Sequence, residues 1–133
     1  MSHHCHAHGC TVEVPPVRFC CPPHWYSLRR VMQDAVWREY RPGQENRKDP
    51  TARYMAVQQR ATAEIALYRP KSKNGIAKVQ KDLGLPVDGI MGPSTIAKLA
   101  EIAEPYLVNS RKWRRVAIER GEGDPLAFLE EAA

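Results

Sequence analysis

Residues 3–24 read HHCHAHGCTVEVPPVRFCCPPH, and this stretch contains all four cysteines and all five histidines of the chain. Within it, Cys5 and Cys10 form a C-x4-C pair, and Cys21 and His24 form a C-x2-H pair. Two ligands a few residues apart can turn back on one ion around a tight loop, and two such knuckles supply the four positions of a tetrahedral site. The spacing therefore predicts a structural Zn²⁺ held by Cys5, Cys10, Cys21 and His24.

Other residues of this stretch leave the ligand set open. Cys20 is adjacent to Cys21, and neighbouring residues of an extended chain cannot both face one ion comfortably. Cys21 is preferred because it completes the C-x2-H knuckle. A disulfide, or no structural role at all, is the alternative to a metal. The remaining histidines are expected to be mostly solvated or to replace an assigned ligand: His3, His4, His6 and His8.

The segment between the two pairs alternates apolar and polar residues. Val12 and Val14 alternate with Thr11 and Glu13, and Pro15-Pro16 follows. Alternation of this kind favours a short hairpin or an extended strand, and the prolines limit it to a sheet edge.

Length and composition bound the class of protein. The chain has 133 residues, 43% hydrophobic residues and a net charge of +5, which suits one modest domain or two very small ones. It has no apolar stretch long enough to span a membrane and no secretory signal, so a cytoplasmic location is expected. The positive charge favours acidic partners, but it is too moderate to indicate nucleic-acid binding by itself.

Helical periodicity follows the knuckle region. Ser27 is a candidate N-cap of a helix that Arg41-Pro42-Gly43 ends, and Asp49-Pro50 is a candidate start of a second helix over about residues 51–68. A unit this small commonly needs a structural metal or a similar cross-link to be stable, so the metal is expected to support folding and not chemistry. We predict a first domain over residues 1–68.

A linker and a second helical domain are predicted after this unit. The linker is residues 69–75, and the second domain is residues 76–133. Its first helix ends near Gly84, its second follows Gly92-Pro93 until Pro105 bends or ends it, and its third has Ser110 as N-cap. A last helix starts at Asp124-Pro125 and is expected to close the second core with three apolar residues, Leu126, Phe128 and Leu129.

The predicted fold is therefore mostly α: a small zinc-knuckle and hairpin tip, a helical hairpin and a C-terminal small helical bundle. The tip and hairpin also carry a resemblance. The motifs C-x4-C-T-x-x-V-P-P, C-x-P-H-W and Y-R-P-G-Q-E are similar to those of small uncharacterised bacteriophage and prophage proteins. This resemblance implies a phage origin and favours the ligand set Cys5, Cys10, Cys21 and His24.

A second resemblance lies within residues 75–104. The string V-Q-x-x-L-G, followed by V-D-G-I-M-G-P-x-T, resembles the peptidoglycan-binding domains at the C-terminus of phage endolysins. The resemblance implies peptidoglycan as a partner and a turn that brings the second helix back over the first. The residues to which it assigns this structural role are Asp88, Gly89, Gly92, Pro93 and Thr95.

No catalytic constellation is recognisable in the sequence. Glu39, Glu45 and Glu64 are dispersed, and all the histidines belong to the tip, so no Ser-His-Asp set is available. We therefore expect no enzymatic activity. The leading hypothesis is a binding or adaptor protein whose macromolecular partner is a host protein, a phage protein or peptidoglycan.

The alternative hypothesis is a nucleic-acid-binding regulator. The helices on either side of Gly84–Gly92 could form a helix-turn-helix, although this connection is longer than the usual turn of 3 to 4 residues. Trp113 would stack on a base or, as the simpler expectation, pack in the core. The candidate nucleic-acid contacts are Lys71, Lys73, Arg111, Lys112, Trp113, Arg114 and Arg115.

Overall fold

Helices dominate the computed structural model, which describes residues 3–15, 18–40 and 50–131. The predicted mostly α class is confirmed. In chain order, the elements of these ranges are strands β1 (His3–His4) and β2 (Glu13–Val14) and helices α1 (Pro22–Ser27), α2 (Arg30–Glu39), α3 (Ala52–Leu67), α4 (Lys73–Asp82), α5 (Pro93–Glu119) and α6 (Phe128–Glu131).

The N-terminal tip is a small antiparallel ribbon. β1 pairs with β2, with His3 opposite Val14 and His4 opposite Glu13. The Cys5 amide extends the pairing by donating to the Val12 carbonyl oxygen at 2.9 Å. The predicted extended segment is therefore present as β2, and Pro15 directly follows it. Pro16 and Val17 lie outside the described residues.

The helix predicted to follow Ser27 is present as α2, but Arg29 and not Ser27 is its N-cap, and the short helix α1 precedes it. Cys21 precedes α1, and Pro22 and Pro23 occupy its first turn, where a missing backbone N–H costs nothing. Ser27 ends α1, and its hydroxyl donates to the His24 carbonyl oxygen at 2.6 Å. The predicted N-cap was wrong because Ser27 is the last residue of α1, a helix that the proline pair starts.

The start of α3 also differs from the prediction. Thr51 is its N-cap, and the hydroxyl oxygen accepts a hydrogen bond from the Tyr54 amide at 3.1 Å. The predicted cap Asp49 and the predicted helix stop Arg41-Pro42-Gly43 lie outside the described residues. The extent of the second predicted helix, about 51–68, is confirmed by α3 together with its two caps.

Helix α5 runs unbroken for 27 residues with Pro105 inside it. The predictions that Pro105 ends the helix and that Ser110 caps a new one are therefore wrong, and a bend at Pro105 stays a prediction. A proline inside a helix removes one backbone hydrogen bond and costs about 3 kcal/mol. Packing of α5 along α3 offsets this cost, because Ser110 is buried and its hydroxyl donates to the Ala56 carbonyl oxygen of α3 at 2.7 Å.

The main apolar cluster joins the tip to α2, α3 and the C-terminal segment. Leu126 is buried in it, and Phe128 and Leu129 pack against it. The prediction that these residues close a separate second core is wrong, because the chain after α5 returns to the first module. The other buried members are Cys5, Ala7, Val14, Phe19, Cys20, Cys21, Leu28, Met32, Ala35, Val36, Val57, Ala61 and Ile65.

Helix α4 begins inside the predicted linker 69–75. Ser72 is its N-cap, and the hydroxyl oxygen accepts from the Gly75 amide at 3.0 Å. The division into domains 1–68 and 76–133 stays a prediction.

A buried ion pair links α2 to α3. The Glu39 side chain is only 4% exposed, and its carboxylate accepts from Arg53 Nε at 2.9 Å and from Arg53 Nη2 at 2.8 Å. Arg53 Nη1 also donates to the Glu122 carbonyl oxygen at 2.8 Å. The Arg53 hydrogen bonds hold the pKa of Glu39 below its usual value although burial opposes them. One guanidinium therefore connects two helices and the turn before α6.

We expect Arg53→Ala to lower the free energy of unfolding by about 2–4 kcal/mol. The buried Glu39 carboxylate would keep only the longer contact of 3.3 Å from Arg38, whose side chain is half-exposed. Urea denaturation followed by circular dichroism measures this. The matched control is Arg30→Ala, since the pair Arg30–Asp34 is exposed on both sides and should contribute less than about 0.5 kcal/mol. Equal losses in the two variants would contradict this account of the ion pair.

Candidate metal centre and adjoining cleft

The four residues assigned from the sequence as metal ligands come together at the tip. Their ligand atoms, three Sγ atoms and one ring nitrogen, all lie within 4.8 Å of one another. His24 Nδ1 is 3.1 Å from Cys21 Sγ and 3.5 Å from Cys5 Sγ. In a tetrahedral zinc site, neighbouring ligand atoms lie about 3.5–3.8 Å apart. Cys5, Cys10, Cys21 and His24 can therefore hold a metal ion with a small adjustment.

Local backbone structure forms each half of this group. The Cys10 amide donates to the Ala7 carbonyl oxygen at 3.1 Å, and Gly9 takes a φ of 74°, which brings Cys10 back toward Cys5. Cys21 is the residue before α1, and His24 lies three positions further, on the same face of the helix. The C-x2-H spacing works here because a helix start holds its two members side by side.

The environment of the group favours metal-binding forms of two members. Burial lowers the pKa of His24 and the Lys78 charge adds to this, against the opposing charge of Asp82, so the neutral imidazole prevails. Burial raises the pKa of Cys5, but hydrogen bonds to its sulfur, first from the Ala7 amide, outweigh burial and bring the net pKa below its usual value. Burial raises the pKa of Cys10 to about 11, so at neutral pH this thiol is protonated and would lose its proton when it binds a metal ion.

The other cysteine and the other histidines of the tip are not members of this four-residue group. Cys20 is 3% exposed and, like Cys5 and Cys21, belongs to the apolar cluster; burial raises its pKa, and its side chain is hydrogen-bonded to that of Cys5. His6 stacks on Phe19 with ring centroids 4.4 Å apart, contrary to the expectation that it is solvated. His8 shares a hydrogen bond of 2.8 Å with the Tyr106 hydroxyl of α5. His4 is exposed, and the side chain of His3 is outside the described part of the chain.

The turn between α4 and α5 is organised by one buried glutamine. Gln80 is 1% exposed, and its Nε2 donates to Asp88 Oδ1 at 2.7 Å, to the Ile90 carbonyl oxygen at 3.0 Å and to Thr95 Oγ1 at 3.2 Å. Its Oε1 accepts from the amides of Asp88 and Gly89 at 3.1 and 3.0 Å. No role of Gln80 was predicted from the sequence. A polar residue within an apolar helical stripe was the available signal.

The five turn residues singled out by the resemblance lie around this glutamine. Gly89 has a φ of 71°, and a Cβ there would lie 2.5 Å from Lys73 Cγ. A side chain at this position would therefore be disfavoured both by the backbone conformation and by the close contact. Gly92 is the N-cap of α5 and Pro93 is its first residue. Thr95 is buried, and Asp88 also accepts from the Ile90 amide at 2.9 Å.

A cleft of about 420 Å³ separates the tip from the helices that follow. The tip contributes one wall, which includes His8, Pro23 and His24. The opposite wall consists of the end of α3, the segment leading to α4, and α4 itself, and Leu99 and Ile102 of α5 complete the lining. This volume is within the range of about 300–1,000 Å³ that is usual for ligand sites.

The basic residues predicted to contact nucleic acid have mixed surroundings. Arg114 donates from Nε to Asp124 Oδ1 at 2.8 Å, and Arg111 Nη2 lies 3.7 Å from Glu104 Oε1. Trp113 is half-buried on α5. The remaining candidates are exposed: Lys71, Lys73, Lys112 and Arg115.

Comparison with known proteins supports the resemblance of the second half. A family model described as "Putative peptidoglycan binding domain" matches residues 55–99, about one third of the chain. The match begins within α3, includes α4 and the Gln80 turn, and ends in α5. The chain has no match among the curated proteins or the solved structures. Among the described residues, none of the helices combines the length and apolar character that a membrane crossing requires.

We expect Gln80→Leu to destabilise the protein by about 2–4 kcal/mol, because it removes a buried amide on which backbone donors of the turn depend. The midpoint of urea denaturation measures the loss. Lys81→Ala is the control, since this exposed neighbour lies on the same helix and should be close to neutral. A Gln80→Leu midpoint equal to that of the control would show that the turn forms without the glutamine.

Proposed function

We propose that this chain is a non-catalytic binding protein for peptidoglycan, with a structural Zn²⁺ at its N-terminal tip. The observation that carries the proposal is the family match over residues 55–99. The matched segment also supplies one wall of the 420 Å³ cleft. Fold similarity does not by itself define a ligand, so the proposal depends on a binding experiment.

The choice of zinc follows from the chemistry of the donor set. Three thiolates and one imidazole are soft and intermediate ligands that suit zinc far better than calcium or magnesium. Four protein ligands leave no open position for a catalytic water. The ion would act by holding the two knuckles together, which a tip with one two-residue ribbon needs.

The proposed function is non-catalytic because the described glutamates that were considered as general acids are held in ion pairs. Glu39 is buried against Arg53, and Glu64 accepts from both Arg29 and Arg60. Carboxylates held by guanidinium groups are poor general acids. Glu45 lies outside the described residues.

The phage-like motifs of the first half lead us to propose a phage or prophage origin and synthesis in the host cytoplasm. Peptidoglycan lies beyond the inner membrane, so wall binding then requires passage across it at lysis. An adaptor that binds a host or phage protein through the same fold is the variant of this proposal that acts inside the cell.

A nucleic-acid-binding regulator is the second candidate. The exposed cations Lys112 and Arg115 on α5, together with the net charge of +5, favour it. The length of the connection between α4 and α5 weighs against a helix-turn-helix.

Cosedimentation with purified sacculi tests the first function against the second. We expect the protein to pellet with sacculi and to lose this binding only gradually as salt is raised, because a cleft contact involves few charges and does not release the condensed counterions of a polyanion. DNA retention, measured in parallel, should be weak and should fall steeply with salt. Strong salt-sensitive DNA retention without sedimentation on sacculi would replace the wall-binding proposal with the regulator.

Cysteine variants test the metal. We expect Cys21→Ser to lose stoichiometric zinc by elemental analysis and to lower the free energy of unfolding by several kcal/mol, because in small sites metal binding is folding free energy. Cys10→Ser should behave alike. Cys20→Ser should keep zinc and cost about 1 kcal/mol through its buried hydroxyl. Zinc lost only in Cys20→Ser would move the ligand assignment by one residue.

A further inference from the structure

Both knuckles contribute to one wall of the cleft. Ala7 and His8, between Cys5 and Cys10, line it, and so does Pro23, between Cys21 and His24. His24 itself lines the cleft while its Nδ1 faces two of the sulfurs. The hydrogen bond between His8 Nδ1 and the Tyr106 hydroxyl holds this wall against α5. An ion at the tip would therefore sit directly behind the cleft surface.

The opposite wall carries charges of both signs. Lys71, Lys78 and Asp82 line the cleft, and Ile65 and Leu99 contribute apolar lining. Within the described ranges, none of these three charged side chains is in an ion pair with another residue. Two cations, one carboxylate and an apolar floor complement a short peptide that has carboxylates and an amino group.

We propose that this cleft binds the stem peptide of peptidoglycan and that the metal knuckle forms part of the site, so that metal and peptide each strengthen the binding of the other. The proposal rests on the proposed function and adds to it the part of the polymer that is recognised. Lys71 and Lys78 bind peptide carboxylates, and Asp82 binds the amino group.

The coupling follows from the geometry of the ligands. The ion joins residues of the first knuckle to residues of α1, so it holds together the two segments that make the wall. A peptide that touches both walls binds better to the assembled wall than to a loose one. By thermodynamic linkage, the factor by which the metal tightens peptide binding equals the factor by which the peptide tightens metal binding.

The first experiment measures muropeptide binding by calorimetry with the full-length, zinc-loaded protein. The probe is the disaccharide-tetrapeptide that a muramidase releases from sacculi, and the same disaccharide without peptide is the control probe. We expect binding of the peptide-bearing probe only. Lys71→Ala and Lys78→Ala should each weaken it about tenfold or more, since each removes a charge-assisted bond.

Lys81→Ala is the matched control variant for this experiment. It removes an exposed lysine from the same helix, but Lys81 does not line the cleft. Its affinity should equal that of the unaltered protein. Equal weakening in Lys81→Ala and Lys78→Ala would overturn the cleft assignment, because it would show an effect of net charge alone.

The second experiment measures zinc affinity by competition with a chelator, with and without the peptide-bearing probe. We expect tighter zinc binding with the probe, and a smaller gain at the same probe concentration in Lys78→Ala, which keeps its metal ligands but binds the probe more weakly. Both titrations start from the folded, metal-loaded protein and end in the same metal-free chain, so the stability of that chain affects both zinc affinities alike and cancels in their ratio. Unchanged zinc affinity with saturating probe would overturn the coupling.

The outcomes separate this inference from the proposed function. If sacculi retain the protein but the Lys71 and Lys78 variants bind sacculi and probe as the unaltered protein does, the cleft inference fails and wall binding stands. If the disaccharide without peptide binds as well as the full probe, the stem peptide is not the recognised part. If sacculi do not retain the unaltered protein, the proposed function itself fails.

Discussion

The packing of α3 along α5 is the interaction on which the remaining structure depends. Alanines on both helices are fully buried, and Ser110 donates from α5 to a backbone carbonyl of α3. Small side chains let two backbones approach closely, so the pair forms a firm support. Helix α3 also packs against α2 and the tip. The chain that follows α3 forms α4 and one wall of the cleft. Both candidate sites are therefore positioned by this helix pair.

The tip and the peptidoglycan-binding-like segment meet across the cleft. Neither of them could form the cleft alone, because the knuckles supply one wall and α4 with its flanking segment supplies the other. The return of Leu126 to the apolar cluster of the tip, and the contact of Arg53 with the Glu122 carbonyl, tie the end of the chain to its beginning. This arrangement is what makes coupling between metal and ligand a physical expectation.

Sequence patterns predicted the elements whose signals are local. The extent of α3 followed from its periodicity, and the convergence of Cys5, Cys10, Cys21 and His24 followed from two spacings that a tight turn and a helix start can each satisfy. Predictions failed where a distant partner outweighed a local rule. Pro105 does not end α5 because packing on α3 offsets the lost hydrogen bond, and Ser110 is a buried donor to α3 instead of an N-cap. Gln80 was overlooked because its partners lie eight or more residues away.

The sequence by itself determined that this protein is mostly helical, that its cysteines and histidines are concentrated at one end, and that residues 75–104 resemble a peptidoglycan-binding domain. These properties depend on residue type and on spacings of a few positions. Only the tertiary structure decided that Leu126 joins the first core, that Gln80 holds the turn, and that His24, Lys78 and Asp82 face one cleft. Such contacts join residues from distant parts of the chain, and their stability comes from burial and pairing that no local pattern encodes.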